Sequence, residues 1–233
     1  MPRPAASLLS GVPLFVGLDE ESLATAAQDA RLVRAATGRA FFREGEPARV
    51  FFVLRRGRVK FTQISAEGHE VILRVIGPGE PFGGVSAFDP AGTYPVTARA
   101  LETCEAHAWD GARITALMHR FPSIAINAAR MIAERLHELQ TQHRELMTAR
   151  VERRIARALL RLADRAGRRV EGGVEIDFAL SRKDLAQMTG TTLFTVSRTL
   201  SAWQHDRLIT TGRRRITVRE PQRLVRIAED LPA

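Results

Sequence analysis

The chain has 233 residues, enough for two domains each with its own core, and 35 Lys and Arg stand against 26 Asp and Glu for a net charge of +9. No run approaches the roughly 18 apolar residues of a membrane span, and MPRPAASLLSGVPLF lacks a sustained apolar segment, so neither a membrane partner nor a secretory signal is expected. Cys104 is the one cysteine, which excludes an intramolecular disulfide framework and a cysteine-ligated iron–sulfur cluster within one chain; the cytoplasm is the expected setting.

Residues 14–36 read as helical, with Leu14, Phe15, Leu18, Leu23, Ala26, Ala27 and Ala30 on the apolar side and Asp19 placed to cap. From about Thr37 short apolar runs alternate with turns: Ala40–Phe42, Val50–Leu54, Val59–Gln63, Val71–Val75, Val96–Ala100 and Ala106–Trp109. Gly45, Gly57, Gly68 and Gly79 recur every eleven or twelve residues, the spacing of an all-β roll or sandwich. Cys104 falls in a β-prone stretch and reads as a buried small apolar residue.

A long helical pattern runs from Ile114 to Thr148 and can restart after Pro122. Ala125, Ala129, Ile132, Leu136, Leu139, His143 and Leu146 follow one another at alternating steps of four and three, a heptad seam flanked by charge. Such a seam pairs two copies in parallel or packs on its own β domain; the first is preferred. His143 interrupts it, setting register or tuning the dimer through its protonation.

Val151–Ala166 is an amphipathic helix with Ile155, Leu159 and Leu162 inward, and Gly167 ends it. Gly172-Gly173 then turns a short hairpin within Arg169–Phe178. Two short helices follow. Ser181 caps the first, with Asp184 three residues on, and Leu185, Ala186 and Met188 form its apolar side. Gly190 breaks the chain, Thr191-Thr192 cap the second, and Val196, Leu200 and Trp203 are its buried positions. A small residue at Ala186, a turn glycine and a β-branched plug are the makings of a helix-turn-helix, whose second helix enters a major groove. Leu208–Thr211 and Ile216–Val218 flank Gly212-Arg213-Arg214-Arg215 as a basic-tipped hairpin, a wing; Pro221 starts a last helix, to Glu229. Residues 149–233 hold 18 Lys and Arg against 10 Asp and Glu, the remainder 17 against 16, so the positive excess falls on the segment suited to phosphate.

Ser181-Arg182-Lys183-Asp184-Leu185-Ala186, Gly190-Thr191-Thr192, Thr195-Val196-Ser197-Arg198 and Leu208-Ile209 resemble the Crp/Fnr family of bacterial transcription regulators. Phe51-Phe52-Val53-Leu54-x-x-Gly57 and Gly77-x-Gly79-Glu80-x-Phe82-Gly83 extend the resemblance toward the N-terminus. It implies an α+β chain: a cyclic-nucleotide-binding-type β-roll (a double-stranded β-helix) over 1–113, a dimerisation helix over 114–148 and a winged helix-turn-helix over 149–233. The expected dimer seam is Ala129, Ile132, Leu136, Leu139, His143 and Leu146. The implied partners are a second copy, a palindromic promoter site in double-stranded DNA, and RNA polymerase.

The outward residues Leu193, Phe194, Thr195, Ser197, Arg198 and Ser201 are the expected DNA-facing set. Arg198 is suited to guanine O6 and N7, and Ser181, Arg182, Thr192 and Ser197, with wing residues Arg213 and Arg214, to phosphate. Where Phe194 stands the family usually has a glutamate that accepts from cytosine N4, which a phenyl ring cannot do. Phe194 and Leu193 either meet a thymine methyl or fold back onto the scaffold.

A cyclic AMP site of the family's kind needs an Arg-Ser pair for the phosphate and a glutamate for the ribose. The matching positions here carry Tyr94-Pro95 and, in Phe82-Gly83-Gly84, Gly84, while Leu139-Gln140 replace the Thr-Ser that meets adenine. These seven residues outline the expected effector pocket, and cyclic AMP in the familiar mode is not expected in it. Haem, bound through one of six histidines, another small molecule, or no ligand remain open. No metal-ligand cluster, phosphate-cradling Gly-Lys loop or nucleophile elbow is visible, so no catalytic residue is assigned and an enzyme is not expected. The rival readings are a protein-binding adaptor reusing the winged helix and a nucleotide-dependent enzyme.

Overall fold

The structure, a computed structural model, describes residues 9–231 apart from 67, 69, 85–87, 90, 177, 213 and 214. The chain divides into two compact units, 1–61 with 76–138 and 62–75 with 139–233.

Toward the N-terminus a 3-10 turn at Pro13–Phe15 precedes α1 (Glu20–Gln28), whose N-terminus Asp19 caps by accepting from the Ser22 N–H at 2.8 Å. The strands are β1 (Arg31–Ala35), β2 (Ala40–Phe42), β3 (Val50–Arg56), β4 (Val59–Ile64), β5 (Glu70–Ile76), β6 (Pro81–Phe82), β7 (Thr97–Ala100) and β8 (Cys104–Asp110). They form two sheets, ordered β1-β8-β3-β6 and β2-β7-β4-β5. The helical expectation for 14–36 is corrected here: the helix ends at Gln28, and Arg31–Ala35 is a strand antiparallel to β8, with Leu32 opposite His107.

β3 is buried on both faces, which is why Phe51–Leu54 is an unbroken apolar run. Phe52 and Leu54 face the roll interior with Phe42, Phe82 and Tyr94, while Ala98, Ala100, Ala106 and Ala108 leave room for the rings. Phe51, Val53 and Trp109 face the opposite way, under Leu14, Phe15 and Ala26. The Trp109 indole N–H donates to Ala26 O at 2.9 Å, so this fully buried side chain leaves no polar atom unpaired.

Helix α2 (Gly111–Arg120) stops at Phe121, and Pro122, at the first position of a helix where its missing N–H costs nothing, starts α3 (Pro122–Thr148). Asn127 of α3 donates to Leu14 O and Val16 O, at 3.2 and 2.8 Å. The C-terminal segment comprises α4 (Val151–Ala166), the hairpin β9 (Gly167–Val170) and β10 (Gly173–Ile176), α5 (Arg182–Met188), α6 (Leu193–His205), β11 (Ile209–Gly212), β12 (Arg215–Val218) and α7 (Pro221–Glu229). Its sheet runs β11-β12-β10-β9, so the early hairpin and the wing are one sheet. Ile155, Leu159, Ile176, Leu185, Leu200 and Leu224 lie in its interior.

Candidate nucleic-acid interface

The helix-turn-helix is held by local chemistry at each end. The Ser181 hydroxyl accepts from the Asp184 N–H at 3.0 Å, and the Asp184 carboxylate accepts from the Ser181 N–H at 2.8 Å and its hydroxyl at 2.6 Å. That is a complete capping box with aspartate in the place of the usual glutamate. At the turn, Gly190 has φ +59°, a left-handed conformation that a side chain disfavours, and a Cβ there would stand 3.1 Å from a Leu146 methyl. Thr192 caps α6 by accepting from the Thr195 N–H at 3.1 Å.

Arg154, which carries no expected role, pins this turn. Its guanidinium donates to Thr189 O at 2.8 Å, to Gly190 O at 3.2 Å and to Ala149 O at 2.8 Å, satisfying carbonyls left at helix ends. Arginine at a helix start is common, and nothing in the sequence marks this one as reaching the turn thirty-five residues away.

Val196, Thr199, Leu200 and Trp203 bury one side of α6. The other side is open: Leu193 is 53 % exposed, Phe194 73 %, and Arg198 and Ser201 are exposed, with Thr195 and Ser197 half-buried. Neither Leu193 nor Phe194 folds back onto the scaffold. Arg198 lies over the Phe194 ring, its Cζ 6.0 Å from the ring centroid, at the outer reach of a cation–π contact. Arg182 is exposed at the first position of α5 and Ser181 is half-buried beside it. In the wing Thr211 pairs with Ile216 and Gly212 with Arg215; the expected phosphate contacts Arg213 and Arg214 lie outside the described residues.

In the β-roll, Phe82 and Tyr94 are core residues. Tyr94 stacks on Phe42 with centroids 3.7 Å apart, and Phe82 stacks on Phe52 at 4.9 Å. The Tyr94 hydroxyl donates to Val50 O at 2.8 Å and accepts from the Val50 N–H at 3.0 Å. Burial raises its pKa, so the phenol stays a neutral donor. Gly83 has φ +74°, and a Cβ there would come 2.7 Å from Val50 O. Gly84 is half-buried and Pro95 exposed; on α3, Leu139 and Gln140 are exposed. Among the described residues no group of three or more His, Cys, Asp and Glu could hold a metal ion, and no helix is long and apolar enough to cross a membrane. The Cys104 thiol is buried and donates to the Arg58 and Glu102 carbonyls, and burial pushes its pKa up.

A sensor-type β-roll and a winged helix-turn-helix with an open recognition face define a DNA-binding regulator class. Residues 32–121 match the cyclic nucleotide-binding domain and residues 153–227 the Crp-like helix-turn-helix domain. The chain is 30 % identical over 220 residues to the cyclic AMP receptor protein of Thermus thermophilus, covering 94 % of this chain and 98 % of that one. It is 27 % identical over 221 residues to the CRP-like cAMP-activated global transcriptional regulator of Mycobacterium tuberculosis, with 95 % and 98 % covered. A solved CRP-family transcriptional regulator from Thermus thermophilus superposes with a TM-score of 0.70 at 26 % identity, covering 85 % of this chain and 97 % of that one. The chain belongs to the Crp/Fnr family of transcription regulators. Its relatives are regulators of transcription, not enzymes.

Proposed function

We propose that this chain is a cytoplasmic homodimer, paired along α3, that binds a palindromic promoter site and there meets RNA polymerase. Residues 1–113 act as the sensor, 114–148 as the dimerisation helix and 149–233 as the DNA-binding domain. One observation carries the reading: α6 buries one side in its own domain and presents Arg198, Ser201 and Phe194 to solvent from the part of the chain that holds nearly all of its net positive charge. Dimerisation is supported by α3, where Ile132, Leu136, Leu139 and Leu146 are large apolar residues left exposed along the heptad seam.

The effector of the β-roll is, in this reading, not cyclic AMP bound in the manner of the family. Tyr94-Pro95 and Gly84 supply neither a cation for a phosphate nor a carboxylate for a ribose, and the Tyr94 hydroxyl is engaged at Val50 in both directions. The names of the Thermus and Mycobacterium relatives therefore transfer as regulators and not as cyclic AMP sensors. An event in the roll shifts the population of dimer arrangements and so the presentation of two α6 helices to two half-sites.

Mobility shift with promoter fragments tests the reading. Binding weakens steeply as salt rises, because each neutralised phosphate releases a counterion, and Arg198→Ala abolishes sequence preference while leaving weak non-specific binding. A chain that retards no duplex at low salt is not this regulator.

A further inference from the structure

The regulator reading gives Arg198 a guanine; the ring beside it sets what stands next to that guanine. Phe194 and Arg198 are one helical turn apart on α6 and project from the same side. Phe194 leaves 73 % of its surface in solvent, beside Leu193 at 53 %, on a helix whose Val196, Leu200 and Trp203 are buried in the domain core. A phenyl ring offers no donor and no acceptor to a base edge. Set against the amino group of cytosine or adenine it would strip water from a donor and return nothing. The one apolar feature among the base edges of the major groove is a pyrimidine C5-methyl group. A methyl on the pyrimidine immediately 5′ of a guanine stands in the groove next to that guanine's O6 and N7.

We propose, building on the regulator reading, that Phe194 and Arg198 together read a 5′-methylpyrimidine–guanine step: thymine–guanine or 5-methylcytosine–guanine. Arg198 donates to guanine O6 and N7, and Phe194 covers the neighbouring methyl. Ring and guanidinium lie within reach of each other and restrain each other's rotamers. Thymine and 5-methylcytosine share the methyl and differ at C4, so the pair reads methylation at C5 and not the Watson–Crick identity of the pyrimidine.

The test starts from duplexes that the full-length protein selects from an unmethylated random pool. Each half-site is expected to contain a thymine–guanine step. Fluorescence anisotropy then compares that thymine with uracil, cytosine and 5-methylcytosine. Loss of one methyl weakens binding by about fourfold per half-site, and 5-methylcytosine binds tighter than cytosine by a similar factor. Phe194→Ala binds the thymine and uracil duplexes alike while still requiring guanine, and Phe194→Glu turns the preference toward unmethylated cytosine through N4. Equal affinity of the unaltered protein for thymine and uracil, selected sites lacking the step, or methyl discrimination that survives Phe194→Ala overturns the inference. Duplex binding without methyl sensitivity sinks this inference alone; failure to bind any duplex sinks the regulator reading with it.

Discussion

The carboxylate of Glu145, one turn before the end of α3, takes a hydrogen bond from Arg161 of α4 at 3.0 Å. Its other oxygen lies 3.3 Å from Arg157, and the Glu145 side chain is only 11 % exposed. α3 ends at Thr148 and α4 begins at Val151, so both pairs bridge the break between the helices within the C-terminal unit. Glu145→Ala leaves two guanidinium groups facing each other with no counter-charge, and stability falls by about 1–3 kcal/mol. Since Arg161 is 38 % exposed, water screens the pair, and the coupling in a Glu145→Ala/Arg161→Ala cycle is about 1 kcal/mol. Urea unfolding of the four proteins measures it; additive losses would show that the two residues do not stabilise one another.

The seam on α3 makes a separate prediction. Leu136 is 56 % exposed, so Leu136→Glu disturbs nothing inside its own chain but puts two like charges into the seam of a parallel pair. Sedimentation equilibrium should find the variant monomeric with an unchanged circular dichroism spectrum. Its affinity for a duplex with two half-sites falls by at least about tenfold, since one molecule no longer anchors two recognition helices, while affinity for an isolated half-site holds. A variant that remains dimeric assigns the dimer interface elsewhere.

The long helix α3, the capping box and the buried side of α6 were legible because each is written in local spacing: steps of three and four, a serine three residues before an acid, a glycine at a turn. β1 was not. Arg31–Ala35 follows a helical alanine pattern directly, and four of its five residues lie at least partly in solvent, so no alternation of two marks it. Arg154 at the turn, Asn127 at Leu14 and Glu145 at Arg161 were equally invisible. Each pairs polar groups distant in sequence or lying on different helices, and composition does not say which charges meet. Phe82 and Tyr94 carry a related lesson. Assigned to the pocket by resemblance, they also pack in the aromatic cluster of the roll, beside alanines of β7 and β8 that leave volume for their rings.

Tyr94→Phe isolates that aromatic packing from its hydrogen bonds. The ring keeps its stack on Phe42, but the Val50 N–H and C=O lose the hydroxyl that serves both. The expected loss is about 1–3 kcal/mol, a melting temperature lower by roughly 2–4 °C per kcal/mol for a domain of this size. Titration calorimetry with cyclic AMP should give no binding heat for either protein. Saturable cyclic AMP binding by the unaltered chain, lost on Tyr94→Phe, would make Tyr94 an effector contact.

His107 of β8 stands opposite Val53 of β3 and Leu32 of β1, is buried, and its Nε2 has no hydrogen-bond partner among the described residues. Burial lowers its pKa; the positive charge of Arg55 lowers it further and Glu105 opposes. The unfolded chain takes up a proton near the ordinary histidine value of about 6.5, whereas the folded chain resists until lower pH. Through that window the unfolded state binds more protons, so the stability tied to a neutral His107 is intact above about pH 6.5 and is lost as pH falls toward the folded value. Calorimetric melting between about pH 7.5 and pH 5 should show a steeper fall for the unaltered chain than for His107→Leu, which has nothing to protonate at this position. Parallel curves would mean that the imidazole titrates alike in both states, and that the buried nitrogen reaches water.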